Sequence, residues 1–238
     1  IEKAGIIKKE TPVVIGETQN ESKDVFLKKA EEKNSQIFFA DKIINCKKND
    51  ANSLEYNDFN IYKNDVLYIE NLKYPLLGNY QKKNLATVIC ALDILKNIFN
   101  GLANVVKNTG LMGRWQVINK NPLAIADTGH NVAGINEVIR QLSETKYNNL
   151  HFVLSVVNDK DIDGILQLLP KEAEYYFCKA DIPRGLSANI LAEKASTCGL
   201  HGNVYDSVRQ AYNSAIANSK EGDLIFVGGS NFTVAEVV

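Results

Sequence analysis

Leu123-Ala124-Ile125-Ala126-Asp127-Thr128-Gly129-His130-Asn131, with Val132, Ile135, Val138, Ile139 and Leu142 behind it, decides how this chain is read. A short apolar run suits a strand buried on both faces better than a helix. The polar pentapeptide ends that strand, and apolar residues then return at helical spacing on one side. The same alternation continues downstream. Phe152–Ser155 reads as a strand, 161–168 as a helix, Tyr175–Cys178 as a strand, and 187–198 and 207–219 as helices. Leu224–Val227 is the last strand, and a final helix follows Gly228-Gly229-Ser230. Strands alternating with helices of this length predict an α/β fold, a doubly wound and mostly parallel sheet covered on both faces.

Upstream the texture changes. Pro12-Val13-Val14-Ile15-Gly16 and Gln36-Ile37-Phe38-Phe39-Ala40 read as strands, with a surface helix over 21–33 between them. From Ile43 to Ile69 come short alternating stretches rich in Asn and Asp, which read as strands and hairpins. Leu85, Ile89, Leu92 and Ile98 lie near one helical stripe, so a long helix is expected over 80–98, ended by Asn100-Gly101. The two textures meet near 100–113, and the expected division is 1–108 and 109–238.

Composition narrows the classes. Of 238 residues, 45% are apolar and 23% charged, which leaves ample material for a core and no signature of disorder. The 27 Lys and Arg balance the 28 Asp and Glu at a net charge of −1, so no bulk field recommends nucleic acid or an anionic membrane as partner. No apolar run approaches the roughly 18 residues of a membrane span. The four cysteines form no CxxC pair, which argues against a disulfide framework or a zinc site and for a reducing cytoplasm. Ile1 is not an initiator methionine, and Glu2–Ile6 lacks the layout of a secretory signal. The chain reads as a piece of a longer protein.

Ligands in such sheets bind beyond the carboxyl ends of the strands. Asp127–Asn131, Asn158-Asp159-Lys160-Asp161 and Gly228-Gly229-Ser230-Asn231 all occupy such places. Asp127 and Asn131 also suit helix caps, and Ser230 is an ordinary cap residue. His130 sharpens the first turn by setting a titratable ring beside a carboxylate. The glycines before Ser230 let backbone N–H groups approach an anion. Arg114, in Gly113-Arg114-Trp115-Gln116, carries a planar fork suited to phosphate, although single arginines are commonly surface residues. Gln81 and Asn84 open the long helix one turn apart, where amides can read a base or simply face solvent.

These stretches carry a resemblance. Glu2–Lys8, Pro12–Gly16, Gly78–Ala86, Gly113–Val117, Asp127–Asn131, Asp159–Asp161 and Gly229-Ser230 follow in the order and spacing of folylpolyglutamate synthases and dihydrofolate synthases. Asp127-Thr128-Gly129-His130-Asn131 is similar to the family's Asp-x-x-His-Asn signature, with Thr-Gly where Gly-Ala is usual. The core is shared more distantly with the Mur ligases of cell-wall synthesis. The family's glycine-rich phosphate loop, pterin-site residues and metal-binding Glu and His would all precede Ile1. The resemblance thus implies that 1–108 is the trailing part of a central ATP-binding domain and 109–238 a glutamate-binding domain.

The implied reaction adds L-glutamate to folate or dihydropteroate through an acyl phosphate, with ATP and Mg²⁺ as cofactors. The resemblance implies ATP contacts for Asn84, Arg114 and Asp127, and positions near the incoming glutamate for His130 and Ser230. It makes His130 a catalytic candidate. Lys3 matches a lysine that the family carries as a carbamate, an oxygen-rich group that supports Mg²⁺. The expected partners are small molecules, with no nucleic acid and no membrane, and the expected state is a cytoplasmic monomer. The segment itself is expected to be inactive without its phosphate loop. Two alternatives stand beside this reading: a Mur ligase of peptidoglycan synthesis and a non-catalytic α/β binding module.

Overall fold

The computed structural model describes residues 2–49, 53–95, 102 and 104–238. Ile98 and the Asn100-Gly101 stop lie outside them. The chain divides into two compact units, Ile1–Gly110 and Leu111–Val238.

In the first unit, strands β1 (Val13–Ile15) and β2 (Ile37–Phe39) pair in parallel, with Val14 opposite Phe38. Helix α1 (Asn20–Glu32) connects them. A short helix, α2 (Ala40–Ile43), leads into β3 (Ile44–Lys48), β4 (Asn57–Lys63) and β5 (Val66–Tyr74), an antiparallel sheet in the order β3-β4-β5. Asn57, Phe59 and Ile61 of β4 alternate inward, the two-residue period of a half-buried strand. Helix α3 (Gln81–Ile94) lays Leu85, Ala86, Ile89 and Cys90 onto that sheet's core of Ile44, Cys46, Phe59, Ile61 and Tyr74. Each fully buried Leu or Ile there contributes about 1.5–3 kcal/mol. Helix α4 (Val105–Thr109) ends on Gly110 at φ 64°, the left-handed cap that glycine adopts without strain.

The second unit holds the larger sheet. Its elements are β6 (Gln116–Lys120), β7 (Leu123–Ala126), α5 (Val132–Glu144), β8 (Leu150–Leu154), α6 (Ile162–Leu166) and β9 (Glu174–Phe177). There follow α7 (Ala188–Thr197), β10 (Gly202–Val204), α8 (Val208–Asn218), β11 (Leu224–Gly228) and α9 (Asn231–Ala235). The order is β10-β9-β8-β11-β7-β6, parallel throughout except β6, which runs antiparallel to β7. From β7 the chain moves one way across the sheet to β10, then returns to insert β11 between β8 and β7. Right-handed crossovers therefore place α5, α6 and α7 on one face and α8 on the other. Val208, Ala211 and Ala215 of α8 and Val234 of α9 pack with Ala124, Val153, Tyr176, Ile225 and Val227. β8 and β11 are buried at every position, as central strands covered on both faces must be.

The sheet is the doubly wound, mostly parallel one that the alternation predicts. Two strands lie outside the sequence reading. β10 is exposed at all three positions and β6 is half-buried, so neither carries an apolar run. All four cysteines are free, and Cys46, Cys90 and Cys178 are buried. Among the described residues no helix is long and apolar enough to cross a membrane.

Candidate active site

The inserted last strand assembles the site. Because β11 lies between β7 and β8, the turns that follow these three strands are neighbours at one edge of the sheet. Asp127 N donates to Val227 O at 3.1 Å, and Ser155 N to Gly228 O at 3.4 Å. Gly229, at φ 98°, passes so close to the Ser155 carbonyl that a Cβ would lie 2.5 Å from its oxygen. Only glycine lets these turns approach so closely. The helices after β7 and β8 go to one face and α9 to the other. The edge around β11 is therefore the switch point at which open α/β sheets bind ligands.

The segment entering β6 is wound against the first of these turns. Gly113 (φ 68°) and Trp115 (φ 52°) are both left-handed, with Arg114 between them. Such a backbone costs a residue with a Cβ about 1–2 kcal/mol, so something must hold Trp115 there. Its N–H donates to Asp127 Oδ2 at 2.7 Å, and its buried ring packs on Phe226 at 5.8 Å between centroids. Asp127 is itself buried, and its Oδ1 accepts the Gly129 N–H at 2.8 Å. Gly113 O accepts the Thr128 N–H at 2.9 Å, and Arg114 Nη1 donates to Thr128 Oγ1 at 2.6 Å. Within its own unit, and among the described residues, the half-buried guanidinium has no carboxylate partner.

His130 lies two residues after Thr128. Its Nδ1 lies 2.9 Å from Thr128 O, and a carbonyl can only accept, so Nδ1 carries the proton. In the neutral ring the lone pair is then on Nε2. Asn131 caps α5 by accepting the Gly134 N–H at 2.8 Å. Ser230 is buried and caps α9, its Oγ accepting the Thr233 N–H at 3.0 Å and lying 2.6 Å from Thr233 Oγ1. Thr233 Oγ1 donates in turn to Ser155 O at 3.1 Å, so the Ser230 proton points to Thr233. The capping alternatives for Asn131 and Ser230 are thus both realised.

The other predicted residues belong to the first unit. Asn84 is exposed in the first turns of α3 and donates to Gln81 Oε1 at 2.9 Å. Lys3 is exposed in a 3₁₀ turn, Glu2–Ile6. Among the described residues no three of His, Cys, Asp or Glu converge as a metal site.

Three contributors carry no signal in the sequence. Trp115 looks like a core aromatic, and Thr128 and Thr233 like ordinary turn and helix residues. Arg184 sits in the turn after β9, where its guanidinium lies 3.4 Å from Asp159 and stacks over Phe232 at 5.0 Å. It joins the Asp159–Asp161 turn to the start of α9. The rule that placed the other turns at this edge extends to the turn after β9 and would have found it.

The sequence pattern described as "Mur ligase, glutamate ligase domain" matches residues 113–231. A dihydrofolate synthase/folylpolyglutamate synthase of Escherichia coli is 29% identical over 100% of this chain and 53% of its own length. The structure of E. coli FolC in complex with DHPP and ADP superposes with a TM-score of 0.80 at 29% identity, over 99% of this chain and 54% of that one. A Mycobacterium tuberculosis folylpolyglutamate synthase complexed with ADP gives a TM-score of 0.81 over 98% of this chain and 56% of that one, and at 23% identity it speaks for the fold alone. The chain spans about half the length of these relatives. With half its residues, those of the larger sheet and its turns, matched to that domain, the chain belongs to the Mur ligase family.

Proposed function

We propose that this chain forms the glutamate-accepting half of an ATP-dependent ligase that joins L-glutamate to folate, to dihydropteroate, or to both. The observation that carries the reading is a pair of side chains that both bond to Thr128. Arg114 is a guanidinium held without a carboxylate partner among its unit's described residues, and His130 is an imidazole with its Nε2 lone pair free. The likeness to the E. coli enzyme over the whole chain supports it.

An amide does not form from a carboxylate and an ammonium in water, so the carboxylate is first phosphorylated, with ATP as donor. Arg114 stabilises charge on the phosphate by its planar fork. His130 Nε2 takes a proton from the glutamate ammonium, and the free amine attacks the acyl carbon. Phosphate then leaves with the C–O bonding pair. Ser230, at the start of α9, serves the glutamate side. Asn84 serves the adenine side, Asp127 the nucleotide side, and Lys3, as a carbamate, the Mg²⁺ side. Residues 1–108 belong to the nucleotide-binding domain and 109–238 to the glutamate domain, in a monomeric cytoplasmic enzyme.

The test is ligation by the intact protein, with ADP release followed against added glutamate and either pterin substrate. Glutamate-dependent release is expected, and Arg114→Lys is expected to lower kcat/KM for ATP about 10-fold because an ammonium cannot reproduce the fork. ADP release indifferent to glutamate, with both pterins present, would overturn the reading.

A further inference from the structure

We propose that Asp127 and Trp115 are positioning residues, a clamp that holds Arg114 in a left-handed turn and sets it in register with His130. The proposal rests on the reading of Arg114 as a phosphate-side group, and it adds to the place of Asp127 on the nucleotide side an action through the backbone.

Each oxygen of the Asp127 carboxylate takes one backbone N–H from a different segment. Oδ2 takes Trp115 N at 2.7 Å and Oδ1 takes Gly129 N at 2.8 Å. The first bond ties down the 113–115 turn, which carries Arg114. The second shapes the 128–130 turn, which carries His130. A single buried side chain thereby fixes both functional groups. The chemistry demands a carboxylate: two convergent N–H groups need two acceptors, whereas an amide offers one oxygen and would set its NH₂ against the other N–H.

Trp115 completes the clamp from the other side. At φ 52° its backbone is one that bulky residues rarely adopt. Its ring is buried against Phe226, which packs on Phe152 at 4.9 Å, so the turn is anchored in the sheet core. On the far side of Arg114, Gly113 is also left-handed, and a Cβ there would lie 2.6 Å from Thr128 Cγ2. If residue 115 relaxed to negative φ, the peptide after Arg114 would rotate and its N–H would leave Asp127. The side chain of Arg114 would then start from a differently oriented backbone and lose its Thr128 partner. Strain kept by several independent contacts is characteristic of functional turns.

Two measurements test the clamp, and a third separates it from the function it serves. Trp115 is the one tryptophan of the 238 residues, so fluorescence of the chain excited beyond the tyrosine absorption band reports this turn alone. Without nucleotide, Asp127→Asn is expected to red-shift the emission and raise quenching by acrylamide about two-fold or more. Unchanged emission would overturn the clamp. In the second, Trp115→Gly and Trp115→Ala both delete the ring, but only Ala keeps the Cβ that opposes positive φ. ADP affinity of the intact protein should be several-fold better in Gly than in Ala. Equal values, or Ala the better, would mean that the backbone conformation does not matter, and this comparison stands even if Asp127→Asn fails to fold. The third is a cycle with Arg114→Ala. Asp127→Asn is expected to weaken ADP about 10-fold alone and by less than about 3-fold in the Arg114→Ala background. Full additivity would overturn action through Arg114. If Arg114→Ala leaves ADP affinity unchanged, the phosphate-side reading fails instead, and the fluorescence result still decides whether the clamp exists.

Discussion

The two ends of the larger sheet each carry a histidine near a buried aspartate, and they are built to opposite purposes. At the carboxyl edge, His130 donates from Nδ1 to a backbone carbonyl, and its Nε2 has no hydrogen-bond partner among the described residues of its unit. At the amino edge, His151 is buried, with Nδ1 3.0 Å from the Tyr176 hydroxyl and 3.3 Å from Glu174. Its Nε2 lies 3.3 Å from Asp223. The network extends to α8, where Asn218 donates to the Tyr176 hydroxyl at 3.2 Å. Burial pushes the Tyr176 phenol up to about 12, so it remains neutral beside His151. Asp223 accepts from the Lys220 N–H, the Asn149 N–H and the Asn149 side chain. Both aspartates take backbone N–H groups, and the difference lies in the imidazoles. A ring with both nitrogens engaged staples strands together, and a ring with one nitrogen open can do chemistry.

Exchanging the same deletion between the two ends should break the comparison if it is wrong. His130→Ala is expected to lower kcat/KM for glutamate by about 100-fold or more, the usual scale of a lost general base. The KM for ATP should change little, and acyl phosphate should still be detectable. His151→Ala should leave the glutamate kinetics within about three-fold, and a large kinetic loss there would erase the distinction between the ends. Its cost should appear in urea unfolding instead. Buried Asp223 and Tyr176 would lose a partner, which destabilises the unit by about 2–3 kcal/mol.

Ser230→Ala sits between these extremes. Loss of the α9 cap should cost about 1 kcal/mol of stability. If the hydroxyl also meets glutamate, KM for glutamate rises while that for ATP stays put. A purely structural cap would lower stability and leave both constants unchanged, which would remove Ser230 from the glutamate pocket.

The smallest effect concerns acid. The Lys220 N–H first, and then Asn149 and His151, hold Asp223 below the usual carboxylate range. A depressed folded pKa contributes stability that is full above the unfolded value, about 3.9, and is lost as pH falls toward the folded one. Asp223→Asn should therefore flatten the stability–pH curve of the second unit below about pH 4. A mutant curve parallel to the wild type in that range would show that the aspartate is not held in its charged form.

The alternation of strands and helices in the second unit was legible because each apolar run ends in a turn. Leu123–Ala126 closes at Asp127, and Leu224–Gly228 at Gly229-Ser230. Caps were equally legible, since the Asn131 and Ser230 side chains accept from residues three positions away. So was the edge of the sheet to search, because ligands gather at the carboxyl ends of parallel strands. Such features depend on near neighbours and on period. Tertiary structure alone decided the order β8-β11-β7, which inserts the last strand between two earlier ones and makes neighbours of turns some 25 to 100 residues apart in sequence. It also decided that Trp115 is left-handed, that Asp127 spans two turns, and that His151 is a staple while His130 is open. A carboxylate's partner or a ring's second hydrogen bond is set by what packing brings against it, and no local pattern in the chain encodes that.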